Sequence, residues 1–186
     1  HYCKLKAEQV GICGVNKNTN QKIECLAYGY PSAINIDPIE KKPLYHFLPN
    51  SKAFSIGTVG CNFKCPFCQN WQLSQNKTIN KENYFSPEDI VELAIKHKCT
   101  SIAYTYNEPT IFYPYAKDIA LIARQNGLKN IFVSNGFESD EVRTDMVGMF
   151  DAINIDIKSF NASYYKKELF GKLDKILDNA KFFKQN

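Results

Sequence analysis

From residue 53 onward the chain alternates short apolar runs with amphipathic ones, and this limits its fold more than any other feature. Ala53-Phe54-Ser55-Ile56-Gly57-Thr58-Val59 reads as a first strand that ends at Gly60. Ser86-Pro87-Glu88-Asp89 is a helix start, with Ser as N-cap, Pro at the first position and acids in the first turn. Ile90, Val91, Leu93, Ala94 and Ile95 then give that helix an apolar face up to His97. A second strand follows at 100–105, with a helix near 111–125 that Gly127 terminates. A third strand is expected at 130–134 with a helix near 139–149, and a fourth at 152–157 with a last helix over 164–183. Strands this short and apolar, separated by helices, need both faces covered, which means a parallel sheet. Four βα units in series make either an open doubly wound sheet or part of a barrel, and periodicity does not choose between them.

The first fifty residues differ in texture. They lack helical periodicity and carry turn punctuation at Gly11, Gly14, Gly29-Tyr30-Pro31 and Asp37-Pro38. The expected division is therefore an extension over 1–50 and a core over 51–186, with residues 23–28 and 33–36 pairing as a small hairpin. No run approaches the roughly 20 apolar residues of a spanning helix. His1-Tyr2-Cys3-Lys4 has no signal-peptide order and no Met, so the natural start is expected upstream. The formal charge of +4 comes from lysines scattered among Asn and Glu, which reads as a solvated surface and not as a nucleic-acid patch. Seven cysteines, three of them within eight positions and with no secretory signal, read as metal ligands before disulfides. The expected compartment is a reducing cytoplasm.

In barrels and open parallel sheets alike, ligands bind outside the carboxyl ends of the strands. After the first strand comes Gly60-Cys61-Asn62-Phe63-Lys64-Cys65-Pro66-Phe67-Cys68-Gln69-Asn70-Trp71, and after the second Tyr106-Asn107-Glu108-Pro109. The third ends in Ser134-Asn135-Gly136 and the fourth in Asp156-Ile157-Lys158. Packing alone does not explain this convergence of polar and metal-binding groups. Thiolates bind zinc or iron–sulfur clusters. Cys61, Cys65 and Cys68 follow a Cys-x3-Cys-x2-Cys spacing on one loop, without a fourth Cys or nearby His. That suits a [4Fe–4S] cube with one open iron better than a structural zinc site, which takes four ligands.

The Cys-x3-Cys-x2-Cys loop after a first strand resembles the radical SAM superfamily. Further runs narrow the resemblance: Gly11-Ile12-Cys13-Gly14-Val15, residues 37–47, Cys68-Gln69-Asn70-Trp71 and residues 104–110 are similar to the radical SAM member of the AmmeMemoRadiSam system, a group labelled pyruvate formate-lyase activating enzyme-like. The resemblance implies a partial (β/α) barrel of about four of six βα units behind a small β-rich extension. It implies a [4Fe–4S] cluster on Cys61, Cys65 and Cys68 that reductively cleaves S-adenosylmethionine (SAM) to a 5′-deoxyadenosyl radical for hydrogen abstraction. Phe67 would help seat the adenine and Asn70 would lie near SAM. Glu108, within the counterpart of a Gly-Gly-Glu-Pro motif, would bind the methionine amino group; Tyr106 and Asn107 replace the two glycines. Ser134, Asn135, Asp156 and Lys158 would complete the SAM site. Expected partners are SAM, an electron donor such as flavodoxin or ferredoxin, and a protein substrate, with neither nucleic acid nor membrane. Two cysteines would precede His1 and two βα units would follow Asn186, so a chain cut at both ends, inactive or poorly folded alone, is expected.

Plainer readings stand beside these. Glu108 can simply open a helix, Asp156 and Lys158 can form a strand-end ion pair, and Ser134-Asn135-Gly136 can be only a turn. Phe67 and Trp71 can merely cover a cluster. Cys3 and Cys13 have half of a four-cysteine site; Cys25 and Cys99 read as buried thiols. The competing functions are an iron–sulfur electron-transfer protein that does not use SAM and a zinc-stabilised interaction domain.

Overall fold

The computed structural model describes residues 2–186. Five strands form one sheet in the order β3-β4-β5-β6-β7: β3 (Ala33–Pro38), β4 (Lys52–Gly57), β5 (Ser101–Tyr104), β6 (Lys129–Ser134) and β7 (Ala152–Ile155). β4 to β7 run parallel, and β3 lies antiparallel along β4 with Ala33 opposite Gly57. This is the mixed α/β architecture of part of a (β/α) barrel.

Alternate strand residues feed two cores, as the two-residue pleat requires. Phe54, Ile56, Ile102, Tyr104 and Phe132 point into the larger one. There they meet α2 (Pro87–Lys96), which follows the single-turn α1 (Trp71–Ser74), through Ile90, Val91 and Ala94, and α3 (Tyr113–Gln125) through Ala116, Ile119 and Ala123. The intervening Ala53, Ala103 and Ile131 face the other way and are covered by Ile39, Leu44 and Phe47. A single 3-10 turn, Ile39–Lys41, brings that cover across. The start of α2 is built as its sequence predicts: Ser86 Oγ accepts from the Asp89 N–H at 3.1 Å and Asp89 Oδ2 from the Ser86 N–H at 2.7 Å.

The structure corrects three sequence expectations. Residues 23–28 and 33–36 do not pair with each other. β1 (Asn16–Thr19) pairs with β2 (Lys22–Cys25) instead, because Asn20 and Gln21 adopt φ of 51° and 65° and close a two-residue hairpin. β3 is then free to cover the edge of β4, whose residues 53–57 are buried. The helix expected over 139–149 is shorter: α4 (Asp140–Asp145) begins after Ser139, and the chain turns at Gly148, where φ is 72°.

The expected last helix is broken. α5 (Ala162–Tyr164) passes into a π turn at Tyr165–Leu169, Phe170 takes φ of 62°, and α6 (Leu173–Gln185) starts afresh. The break lets Tyr165 and Leu169 join Phe63, Phe137 and Ile176 in a small core against Cys61 and Cys65. A Cβ on Gly171 would lie 2.6 Å from the Phe63 ring, so this approach needs glycine. No helix among the described residues is long and apolar enough to cross a membrane.

Candidate functional site

The carboxyl ends of β4, β5, β6 and β7 open on one cavity of about 340 Å³. Cys61, Cys65 and Cys68 line it, with Phe67 and Asn70 from the same loop. Asn107 and Glu108 line it from the end of β5, Ser134 and Asn135 from β6, and Asp156 and Lys158 from β7. The topology thus brings the three cysteines and the eight residues expected at the SAM site to one cavity, although they span almost a hundred positions.

The cysteine loop leaves β4 through Gly60, whose φ is 86° and whose Cβ position lies 2.1 Å from the Cys13 carbonyl. Only a residue without a side chain makes that turn. Asn107 straps the turn in place. Its Nδ2 donates to the Gly60 carbonyl at 2.8 Å and to Thr58 Oγ1 at 3.1 Å. Asn70 Nδ2 donates to the Tyr106 carbonyl at 2.8 Å and ties the far end of the loop to β5. So both asparagines make contacts within the protein as well as lining the cavity. Phe67 lines the cavity with 55% of its surface exposed, whereas Trp71, 61% exposed, is not among the lining residues.

The Phe63 N–H points at Cys61 Sγ at 3.4 Å, and Cys68 Sγ lies 3.2 Å from Ser74 Oγ. Burial pushes the Cys61 thiol well above its usual range, and the charge of Glu108 adds to that; burial also raises Cys65. These thiols stay protonated until a metal displaces the proton. Among the described residues, no three His, Cys, Asp or Glu side chains are gathered tightly enough for one metal ion.

Glu108 is buried and surrounded by donors. Its Oε2 accepts from the Asn135 N–H at 2.7 Å; its Oε1 accepts from the Thr110 N–H at 3.0 Å, Thr110 Oγ1 at 2.6 Å and Ser134 Oγ at 2.9 Å. It therefore caps the 3-10 turn Pro109–Phe112 and also presents a carboxylate to the cavity. Asn135 Nδ2 donates to Asn62 Oδ1 at 2.7 Å, which couples β6 to the cysteine loop. Lys158 Nζ and Asp156 Oδ2 pair at 2.7 Å. Burial alone would lower the Lys158 ammonium, but the bond to Asp156 outweighs it and the net shift is upward.

Four functional neighbours were not singled out as site residues in the sequence. Tyr106 lines the cavity, and Asp37 and Lys42 stand behind it as a buried ion pair at 2.7 Å. Glu138, completely buried, lies behind Ser134 and belongs to no motif. Its one outward sign is its place three residues past Asn135, on the turn out of β6.

The comparisons with known proteins agree with this geometry. Residues 55–186 match the Radical SAM superfamily, and the chain belongs to that superfamily. The uncharacterized protein MJ0808 of Methanocaldococcus jannaschii is 40% identical over 188 residues, covering 99% of this chain and 55% of that protein. The uncharacterized protein MJ0674 of the same organism is 33% identical over 102 residues, covering 53% of this chain and 26% of its own length. The chain thus spans about half the length of the first of these relatives and about a quarter of the second. Among solved structures, TYW1 with a lysine-pyruvate adduct bound aligns with TM-score 0.52 and 20% identity, over 78% of this chain and 56% of that one. Streptococcus suis SuiB bound to precursor peptide SuiA aligns with TM-score 0.53 and 13% identity, over 69% and 29%. QueE from Escherichia coli aligns with TM-score 0.51 and 12% identity, over 83% and 70%. At these identities the likeness is one of fold. Enzymes of the superfamily generally use a [4Fe–4S] cluster and SAM.

Proposed function

We propose that residues 51–186 form the catalytic core of a radical SAM oxidoreductase, with residues 1–50 as an extension that backs its cavity. In this reading Cys61, Cys65 and Cys68 would hold a [4Fe–4S] cluster and leave its fourth iron open beside the SAM site. The carrying observation is the single cavity that these cysteines share with Glu108, Ser134, Asn135, Asp156 and Lys158. Among the described residues, no further Cys or His lines it. Three thiols on one cavity of about 340 Å³ supply three thiolate ligands and space beside them.

Bound there, the cluster and SAM supply one-electron cleavage of SAM to methionine and a 5′-deoxyadenosyl radical. The protein binds and orients. Glu108 is the acceptor for the SAM ammonium, and Lys158 a donor for its carboxylate. Asp156 holds Lys158 charged, or turns to a ribose hydroxyl. Asn70, Asn107, Ser134 and Asn135 fix the walls, and Phe67 offers its exposed ring as a lid for the adenine. The substrate class we favour is a protein or peptide, by analogy with glycyl-radical-enzyme activases of the pyruvate formate-lyase type and with the AmmeMemoRadiSam group. The electron donor is then a flavodoxin or ferredoxin, in a reducing cytoplasm.

The test is anaerobic reconstitution of the protein in its full natural length, followed by SAM and dithionite. We expect 5′-deoxyadenosine, and none from Cys65→Ala. An iron–sulfur protein that forms no 5′-deoxyadenosine would make the SAM-independent electron carrier the better reading.

A further inference from the structure

Ser134 Oγ stands between two buried carboxyl groups, and its single proton cannot serve both. It lies 2.9 Å from Glu108 Oε1, closer still to Glu138 Oε1, and it accepts from the Gly136 N–H at 3.0 Å. With both carboxyls ionised, one of the two contacts would set a lone pair against a lone pair. A proton must therefore reside on one of them.

The surroundings decide which. Glu108 already takes two backbone N–H groups, from Thr110 and Asn135, and the Thr110 hydroxyl at 2.6 Å. Thr110 Oγ1 lies further from Glu138 Oε1, at 3.4 Å, so its proton belongs to Glu108. Glu138 has fewer donors than Glu108: its own backbone N–H, and Asn179 Nδ2 at 3.2 Å on Oε2. Its Oε1 is left to carry the proton.

We infer that Glu138 is a neutral carboxylic acid that donates to Ser134 Oγ, so that Ser134 donates onward and keeps Glu108 ionised for an ammonium group. This rests on the reading of Glu108 as the ammonium acceptor. Every bonding position of Ser134 Oγ is then filled: it accepts from Gly136 and Glu138 and donates to Glu108. Glu138 touches no ligand; it is a positioning residue. Groups facing it are Ser134 from β6, Glu108 and Thr110 from the turn after β5, and Asn179 from α6. Arg143 of α4 reaches it through Asn179, to whose Oδ1 it donates at 2.9 Å, and the Tyr2 hydroxyl is within electrostatic range of it. Burial raises both carboxyls, so the pair as a whole favours holding a proton, in keeping with the single hydroxyl between them.

Two measurements on the full-length protein test this. The infrared difference between wild type and Glu138→Gln at pH 7 should contain the carbonyl band of a protonated carboxylic acid. A carboxylate band in its place overturns the proposal, whether or not SAM binds. In equilibrium dialysis of the reconstituted protein with SAM, Glu138→Leu should weaken binding about tenfold at unchanged iron content. Glu138→Gln should restore it to within about threefold, since a carboxamide N–H can still donate to Ser134. Equal affinities in the Leu and Gln variants overturn the proposal. If Glu138→Leu does not fold, the infrared band decides. Unchanged SAM binding in Glu108→Gln overturns the ammonium reading itself and leaves the infrared result to stand for Glu138 alone.

Discussion

The Tyr106 hydroxyl donates to Asp37 Oδ2 at 2.5 Å, so the residue just past β5 is tied to the strand at the edge of the sheet. Tyr106 holds φ of 71°, a left-handed conformation that favours glycine. The Tyr106 side chain is thus accepted at some backbone cost and used to reach the N-terminal extension. Tyr106→Phe removes one donor from a buried carboxylate and should cost about 1–2 kcal/mol. For a chain of this length that lowers Tm by roughly 2–8 °C in a calorimetric scan. An unchanged Tm would mean that the bond contributes nothing.

Asp37 also carries the buried Lys42 at 2.7 Å and the exposed Lys41 at 3.3 Å. Burial opposes its charge, but the bonds to Lys42 and Tyr106 outweigh burial and hold the carboxyl far below its usual range. A carboxyl lowered in the folded state stabilises above its unfolded value, roughly 3.9, and loses that contribution as pH falls. Asp37→Asn leaves Lys42 buried without its partner and should cost about 3–5 kcal/mol at neutral pH. Urea midpoints of wild type and variant should differ by a constant amount between about pH 5 and 7 and converge below about pH 4. A gap that widens in acid would contradict this.

Asn107 fixes the entry to the cysteine loop through Gly60 and Thr58. Asn107→Ala should leave the Gly60 carbonyl and Thr58 without these donors, at about 1–3 kcal/mol. Iron bound per chain after reconstitution should fall along with thermal stability. Full iron content in the variant would show that the loop is held by other contacts.

At Gly60 a methyl group would fall 2.1 Å from the Cys13 carbonyl, a backbone atom that a rotamer change cannot move. Gly60→Ala should therefore displace the loop, with loss of cluster binding and of at least about 2 kcal/mol of stability. Gly127→Ala is the control: it also has positive φ, 76°, but nothing lies within 4 Å of the added carbon. Its cost should be limited to about 1 kcal/mol of backbone strain, with iron content unchanged. Equal effects at the two positions would refute the steric account.

What could be read from the sequence was whatever depends on near neighbours. The capping box of Ser86 and Asp89, the helix stop at Gly127 and the apolar runs of β4 to β7 are local, and they placed the cysteines, Glu108, Ser134 and Asp156 at strand ends. The departures come from distant contacts. β3 seeks β4 because β4 is buried along its length, and the spacing of turns in the first fifty residues does not reveal that. The break before α6 exists so that Tyr165 and Leu169 can support Phe63, a hundred residues earlier; Gly171 is its one local sign. Glu138 carries no pattern because its role is to face Ser134 and Asn179, and only the folded chain brings these together.

If the three cysteines hold a cluster whose open iron receives SAM beside Glu108, the EPR spectrum of the dithionite-reduced full-length protein should respond to SAM. The expected result is a [4Fe–4S] signal whose g values shift on adding SAM, with the shift lost in Glu108→Gln. A signal indifferent to SAM, or no cluster signal from protein that retains all three cysteines, would contradict it.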